Sequence, residues 1–340
     1  MLVLGIRDQR SNARTGTDPG KKGVSPLSVT VGFLARLGPH TPWMAAGSML
    51  DALKNHFPEY LMEAAGLGLF MISAASFGTL LEHPDSPIHQ ALPNSDFRRL
   101  LMGLAMGLTA IGLIYSPWGR QSGAHLNPAV TLTFLRLGKI TPADAGFYVL
   151  AQFLGGLVGI FLIGSVLGPL LAHMNVSYVA TVPGAHGVRL AFGVELLIAF
   201  VMMTMVLVVS NHAKLSHYTG LLAGCLVATY VFLAGPVSGF SMNPARSFAS
   251  AVPAHIWTSF WIYFTAPPLG MLLAAECYVR LKGSRAVYCA KLNHFSTRRC
   301  IFRCRFGELE GQRFESSNVR DRLVAISEQP GTHAMKFNMF

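Results

Sequence analysis

Hydrophobic positions in this chain gather into long runs and do not alternate with polar ones. Leu100–Ser116, Gly146–Leu171 and Leu190–Ser210 carry almost no charge. Runs of this kind reach the roughly 20 apolar residues that cross the hydrocarbon core of a bilayer. Six spans are predicted, at about residues 59–81, 98–118, 143–168, 188–210, 216–236 and 257–281. Two further segments, near 127–137 and 243–252, have a helical pattern but are too short to cross. The predicted fold class is an all-α membrane protein with six transmembrane helices and two re-entrant half-helices.

The short segments open identically, with Asn127-Pro128-Ala129 and Asn243-Pro244-Ala245. Glu63 lies early in the first span and Glu195 early in the fourth, each followed by an apolar run. The second half therefore repeats the first, with three spans and one short helix apiece. Three is odd, so the copies enter the bilayer from opposite sides. This is an inverted 3+3 repeat whose discontinuous elements meet near the midplane.

Asn-Pro-Ala has a physical reading at such a place. A helix N-terminus leaves backbone N–H groups without partners. An Asn side-chain oxygen caps them, and Pro fits just inside, where its missing donor is not needed. The Asn127 and Asn243 amides are then expected to donate to a guest between the two helix tips. Each tip also carries the equivalent of roughly half a positive charge. A water accepting from both amides cannot relay a proton wire, and the dipoles oppose cations. The extended approaches before each motif are expected to offer a ladder of carbonyl acceptors, at Gly123, Ala124 and His125 and at Gly239, Ser241 and Met242. One Asn-Pro-Ala caps ordinary helices; two in corresponding places point to a pore.

Charge fits this picture. The net charge is +11, with 51% hydrophobic and 13% charged residues. The basic residues cluster in the N-terminal arm, in short loops (Arg120, Arg136, Lys139, Lys214) and in the C-terminal tail. Alternation with basic-poor connections follows the positive-inside rule, which predicts cytoplasmic N- and C-termini and argues against a nucleic-acid partner. Arg98 and Arg99 stand on the other face as an exception. The expected organisation is a largely disordered arm (1–57), a channel domain (58–281) and a basic cytoplasmic tail (282–340). Within the arm, Thr41-Pro42 offers a helix start. The stretch holding Trp43, Met44, Leu50, Leu53 and Phe57 reads either as an interfacial helix or as a lead-in to the first span. The five cysteines suggest no disulfide framework. No nucleophile or base accompanies Glu63 or Glu195, so no enzyme is predicted.

The segments Ser122–Thr131 (SGAHLNPAVT) and Gly239–Phe248 (GFSMNPARSF) resemble the two signature motifs of the major intrinsic proteins, the aquaporin and glycerol-facilitator family. The resemblance covers about residues 59–281. It implies a passive channel for water and small neutral solutes such as glycerol, urea or peroxide, rejecting ions and protons. It also implies a homotetramer in the cell membrane with one pore per subunit and no cofactor. Arg246 is implied as one wall of the constriction, and Glu63 and Glu195 as supports of the motif loops. Family spacing places Phe240, Val231 and Met106 on the other walls, with Gly107 an alternative to Met106. Such a filter is more apolar than a water-only one, which usually carries His where Val231 stands, and it suits small polyols. Ser247, Ala251 and Tyr263-Phe264 match the water branch instead. A glycerol facilitator with little water preference and a secondary transporter are the rival readings.

Cys289, His294, Cys300 and Cys304 fall within sixteen residues of the tail. Thiolates and imidazole suit zinc, and the Cys300-x-x-x-Cys304 spacing is within the range of structural sites. The alternative is a basic tail lying on anionic headgroups.

Overall fold

The computed structural model describes residues 46–295 and 297–311. The arm residues before 46, with Thr41, Pro42, Trp43 and Met44, and the tail beyond 311 lie outside the described residues. Six helices are long and apolar enough to span a membrane. They are α1 (Ala46–Glu82), α2 (Ser95–Tyr115), α4 (Pro142–Leu167), α5 (Val188–Ser210), α6 (Thr219–Ser238) and α8 (Trp261–Lys282). Two half-helices, α3 (Pro128–Arg136) and α7 (Pro244–Ala254), occupy the repeat positions. Side chains such as Leu108, Val158, Val166 and Leu233 are exposed over the outside, as lipid-facing positions require.

Helix α1 differs from expectation. It is one unbroken helix from Ala46 through Pro58 to Glu82, so the lead-in is continuous with the helix of the first span and no helix boundary falls near residue 57. Two bonds to Asp144 tie this stretch down, from His56 Nδ1 at 2.6 Å and from the Tyr60 hydroxyl at 2.6 Å. At 37 residues α1 is about 55 Å long, well beyond the hydrocarbon thickness. Helix α2 starts at Ser95 because Asn94 caps it, accepting from Phe97 N at 3.0 Å. It stops at Tyr115, where Ser116 and Pro117 begin a separate short helix, Pro117–Ser122.

Packing repeats between the halves: α1 lies on α4, and α5 lies on α8. Gly155 and Gly159 make the first approach possible; a Cβ on Gly155 would sit 2.1 Å from the Ala64 carbonyl oxygen. Small residues at such crossings are what allow membrane helices to touch. The Arg98–Arg99 exception also resolves. Arg98 pairs with Glu82 at 3.1 Å and Arg99 with Asp96 at 2.9 Å, so their charges are locally balanced.

Candidate functional site: two clasped half-helix tips

The two motif loops are built the same way. Glu63 Oε1 accepts from Ser122 Oγ at 2.7 Å and His125 N at 3.0 Å, while Oε2 accepts from Leu126 N at 2.6 Å and Gln152 Nε2 at 2.9 Å. Glu195 does the same for the second loop, accepting from Ser238 Oγ at 2.7 Å, Ser241 N at 2.9 Å and Met242 N at 2.8 Å. A carboxylate has about four lone-pair sites, so Glu63 is saturated as an acceptor. Tyr148 and Tyr263 each donate a hydroxyl to a loop carbonyl, of Ser122 at 2.7 Å and Ser238 at 2.6 Å. The chain turns through left-handed backbone at Gly123 and Gly239 (φ 95° and 77°), and then at Ala124, Leu126, Phe240 and Met242. Only Gly adopts such angles freely; the other four are held by these bonds.

A trans peptide points its N–H and the preceding C=O in opposite directions. With the His125 and Leu126 N–H groups on Glu63, the Ala124 and His125 carbonyls face away from it. Likewise the Ser241 and Met242 N–H groups on Glu195 turn the Phe240 and Ser241 carbonyls outward. No described residue donates to these four carbonyls, nor to that of Gly239. The two remaining ladder positions are engaged: Gly123 O accepts from Leu292 N at 3.1 Å, and Met242 O from Asn127.

The motif asparagines cap as expected. Asn127 Oδ1 accepts from Ala129 N at 2.8 Å, and Asn243 Oδ1 from Ala245 N at 3.1 Å and Arg246 N at 3.2 Å. Their amides cross over: Asn127 Nδ2 donates to Met242 O at 2.7 Å and Asn243 Nδ2 to Leu126 O at 2.7 Å. The tips are thus clasped reciprocally. Each amide keeps a second hydrogen for a guest. Pro128, Ala129, Pro244 and Ala245 are all buried beneath the tips.

Met106 and Val231 belong to one buried apolar cluster with Ala74, and Phe240 packs against it. Gly107 is excluded from that wall, since a Cβ there would lie 2.6 Å from the Gly224 carbonyl of α6. Arg246 Nη1 is buried and no described residue accepts from it. His125 is stacked between Phe134 and Phe302, at centroid distances of 5.1 and 5.3 Å. Its Nε2 meets Ala290 O at 2.9 Å and therefore carries the hydrogen, and its Nδ1 meets Thr131 Oγ1 at 3.1 Å. The ring is a packing element.

Ser122, Ser238, Gln152, Tyr148 and Ala74 had no role in the sequence reading. Tyr263 figured there only as a branch marker. The pairing of Ser122 with Ser238 was available as a repeat, five residues before each motif Asn.

Residues 54–278 match the family described as Major intrinsic protein. The chain belongs to the major intrinsic protein family. It is a membrane channel of the aquaporin type and not an enzyme. Curated relatives include Aquaporin NIP2-3 of Zea mays, 36% identical over 61% of this chain and 68% of its own length. Aquaporin NIP1-2 of Arabidopsis thaliana is 33% identical over 76% of this chain and 78% of its own. The solved aquaglyceroporin of Plasmodium falciparum aligns with a TM-score of 0.57, at 21% identity, covering 68% of this chain and 99% of that one. That last likeness supports the fold alone.

The described tail residues of this channel do not lie apart from it. Val287, Cys289, Ala290, Leu292, Phe302, Phe306 and Leu309 are buried in the main core. The ligand atoms of Cys289, His294, Cys300 and Cys304 all lie within 4.8 Å of one another. Hydrogen bonds from Cys289 and Cys300 hold the Cys304 thiol far below its ordinary pKa.

Proposed function

We propose that the channel conducts water and small neutral solutes passively and rejects ions and protons. The reading is carried by the clasped asparagine tips, which leave one free amide hydrogen on each side of the midplane. A guest there accepts from both, and the outward carbonyls of Ala124, His125, Phe240 and Ser241 supply acceptors along the route. Met106, Val231, Phe240 and Arg246 form the filter: three apolar walls and one cation whose Nη1 has no acceptor among the described residues. A buried, unpartnered guanidinium nitrogen is costly unless a permeant meets it, and its charge repels cations.

Glycerol passage is the second reading, favoured by the apolar character of the Met106–Val231–Phe240 wall. A coupled transporter would need a deep ionisable pair free to titrate. The four buried carboxylates of the described residues are instead all engaged: Glu63 and Glu195 by loop N–H groups, Glu59 by Gln121 and Arg299, and Asp144 by His56, Tyr60 and Thr141. Conduction of this kind requires no cofactor. The channel sits in the cell membrane as a homotetramer, with both termini cytoplasmic; the basic loops Arg120, Arg136, Lys139 and Lys214 support that orientation.

Stopped-flow light scattering on proteoliposomes tests this. Osmotic shrinkage faster than in empty vesicles is expected, together with accelerated glycerol uptake. Glycerol, urea and peroxide uptake all at the empty-vesicle rate would restrict the channel to water.

A further inference from the structure

The tail carries a cluster that conduction does not use. The described residues between 287 and 305 contain no α-helix or strand, yet Cys289, Lys291, Leu292 and Asn293 are all buried. An irregular segment held this firmly calls for a cross-link, as small metal-braced folds have. Its four candidate ligands are already gathered. Cys289 Sγ and Cys300 Sγ are 3.5 Å apart, and His294 Nε2 is 3.0 Å from Cys304 Sγ. With zinc–sulfur bonds of about 2.3 Å, a tetrahedral site has sulfurs about 3.8 Å apart, so an ion would enter with only small shifts.

The surroundings suit a thiolate-rich site. Phe306 N donates to Cys304 Sγ at 3.4 Å, and the Phe306 ring stacks on His294 at 4.3 Å, fixing its orientation. Three thiolates and a neutral imidazole around Zn²⁺ leave one net negative charge. Two buried cations, Lys139 and Lys291, lie in the field of these cysteines. The family match ends at residue 278, before the cluster begins.

The segment follows directly on the end of α8 and reaches α1 at Glu59. On the first half it reaches Glu59 through Arg299, Gly123 O through Leu292 N, and Lys139 O through Arg303 N. On the second half Tyr288 N donates to Asn211 at 2.7 Å, and Phe295 packs on His217 at 5.9 Å. The segment is thus tied to both halves of the inverted repeat. Gly123 O, at the outer end of the expected carbonyl ladder, is already taken by it.

We propose that Cys289, His294, Cys300 and Cys304 bind one zinc ion, which clamps this segment across the pore mouth and holds down water flow. The metal site stands by itself; the effect on flow rests on the channel reading above.

The test uses the full chain. Metal analysis of protein purified under reducing conditions is expected to give one zinc per chain, falling below a tenth in a Cys300→Ser/Cys304→Ser variant. Cobalt substitution is expected to give thiolate charge-transfer and tetrahedral d–d absorption. Substoichiometric zinc without those bands, or a Cys289–Cys300 disulfide in their place, overturns the site. In proteoliposomes, a membrane-permeant chelator is expected to raise water permeability several-fold, reversibly on adding zinc chloride. The double variant is expected to stay at the raised level whatever the metal. Equal permeability with and without zinc, above that of empty vesicles, overturns the clamp and leaves the channel reading intact. Flux at the empty-vesicle rate in both states overturns the channel reading, and the control of flow with it.

Discussion

The loop before Asn127 and the loop before Asn243 share one scaffold but face different work. Each hangs from a carboxylate, a serine and a tyrosine on neighbouring elements: Glu63, Ser122 and Tyr148 for one, Glu195, Ser238 and Tyr263 for the other. They diverge three residues after each motif Asn, where Val130 stands in the first half and Arg246 in the second. They diverge again in what covers them. The first is sealed by His125, Phe134 and the tail residue Phe302; the second is wired by hydroxyls, with Thr181 Oγ1 and Ser241 Oγ each 2.6 Å from Ser247 Oγ. The common part fixes the backbone, and the divergent part is where the proposed filter and the proposed closure reside, one in each half.

The largest effect is expected from removing a tether. Glu63→Leu leaves the His125 and Leu126 N–H groups and the Ser122 hydroxyl without their acceptor, and leaves Gln152 with Thr131 Oγ1 alone. Each buried orphan costs about 1–3 kcal/mol, which together exceeds a large part of a typical domain's stability. Loss of folded protein in detergent is expected by gel filtration and thermal unfolding; a parental melting curve would mean the tether is dispensable. Glu195→Leu is expected to do the same, with somewhat less damage, because it has three donors where Glu63 has four.

Next in size is Arg246→Val, which makes the second half resemble the first. A pH-sensitive dye inside vesicles is expected to report a proton leak at least tenfold above the parent. An unaltered leak would take Arg246 out of the filter. Val231→His should then shift the balance between solutes. Water flux is expected to persist while glycerol uptake falls several-fold, because a polar wall replaces an apolar one. A constant glycerol-to-water ratio would place Val231 off the route.

The smallest effect tests the hydroxyl wiring. Thr181→Val removes one partner of Ser247 and is expected to cost about 1 kcal/mol, seen as a melting shift of a few degrees without change in solute selectivity. A shift in selectivity would make the network part of the filter.

Much of this architecture was legible beforehand because it rests on periodicity and repetition. The apolar runs located the spans, and the duplicated Asn-Pro-Ala with Glu63 and Glu195 located the half-helices. Partnerships across the fold were less visible. Nothing local in the sequence pairs Tyr148 with Ser122 O, or Gln152 with Glu63. Nor does anything local show that α1 runs on through Pro58, with Asp144 binding His56 and Tyr60 on either side of it. The tail was least legible, since its contacts follow neither a 3.6-residue nor a 2-residue period. The cluster of cysteines pointed to a ligand set but gave no hint that Phe302 would stack on His125.

Gly123 and Phe302 share one small volume. A methyl group at position 123 would lie 2.9 Å from the Phe302 ring, on backbone at φ 95° that already disfavours one. The two positions therefore constrain each other: a side chain at 123 would need both a strained backbone and a displaced ring at 302, which ties a residue of the membrane-embedded half to one of the appended segment.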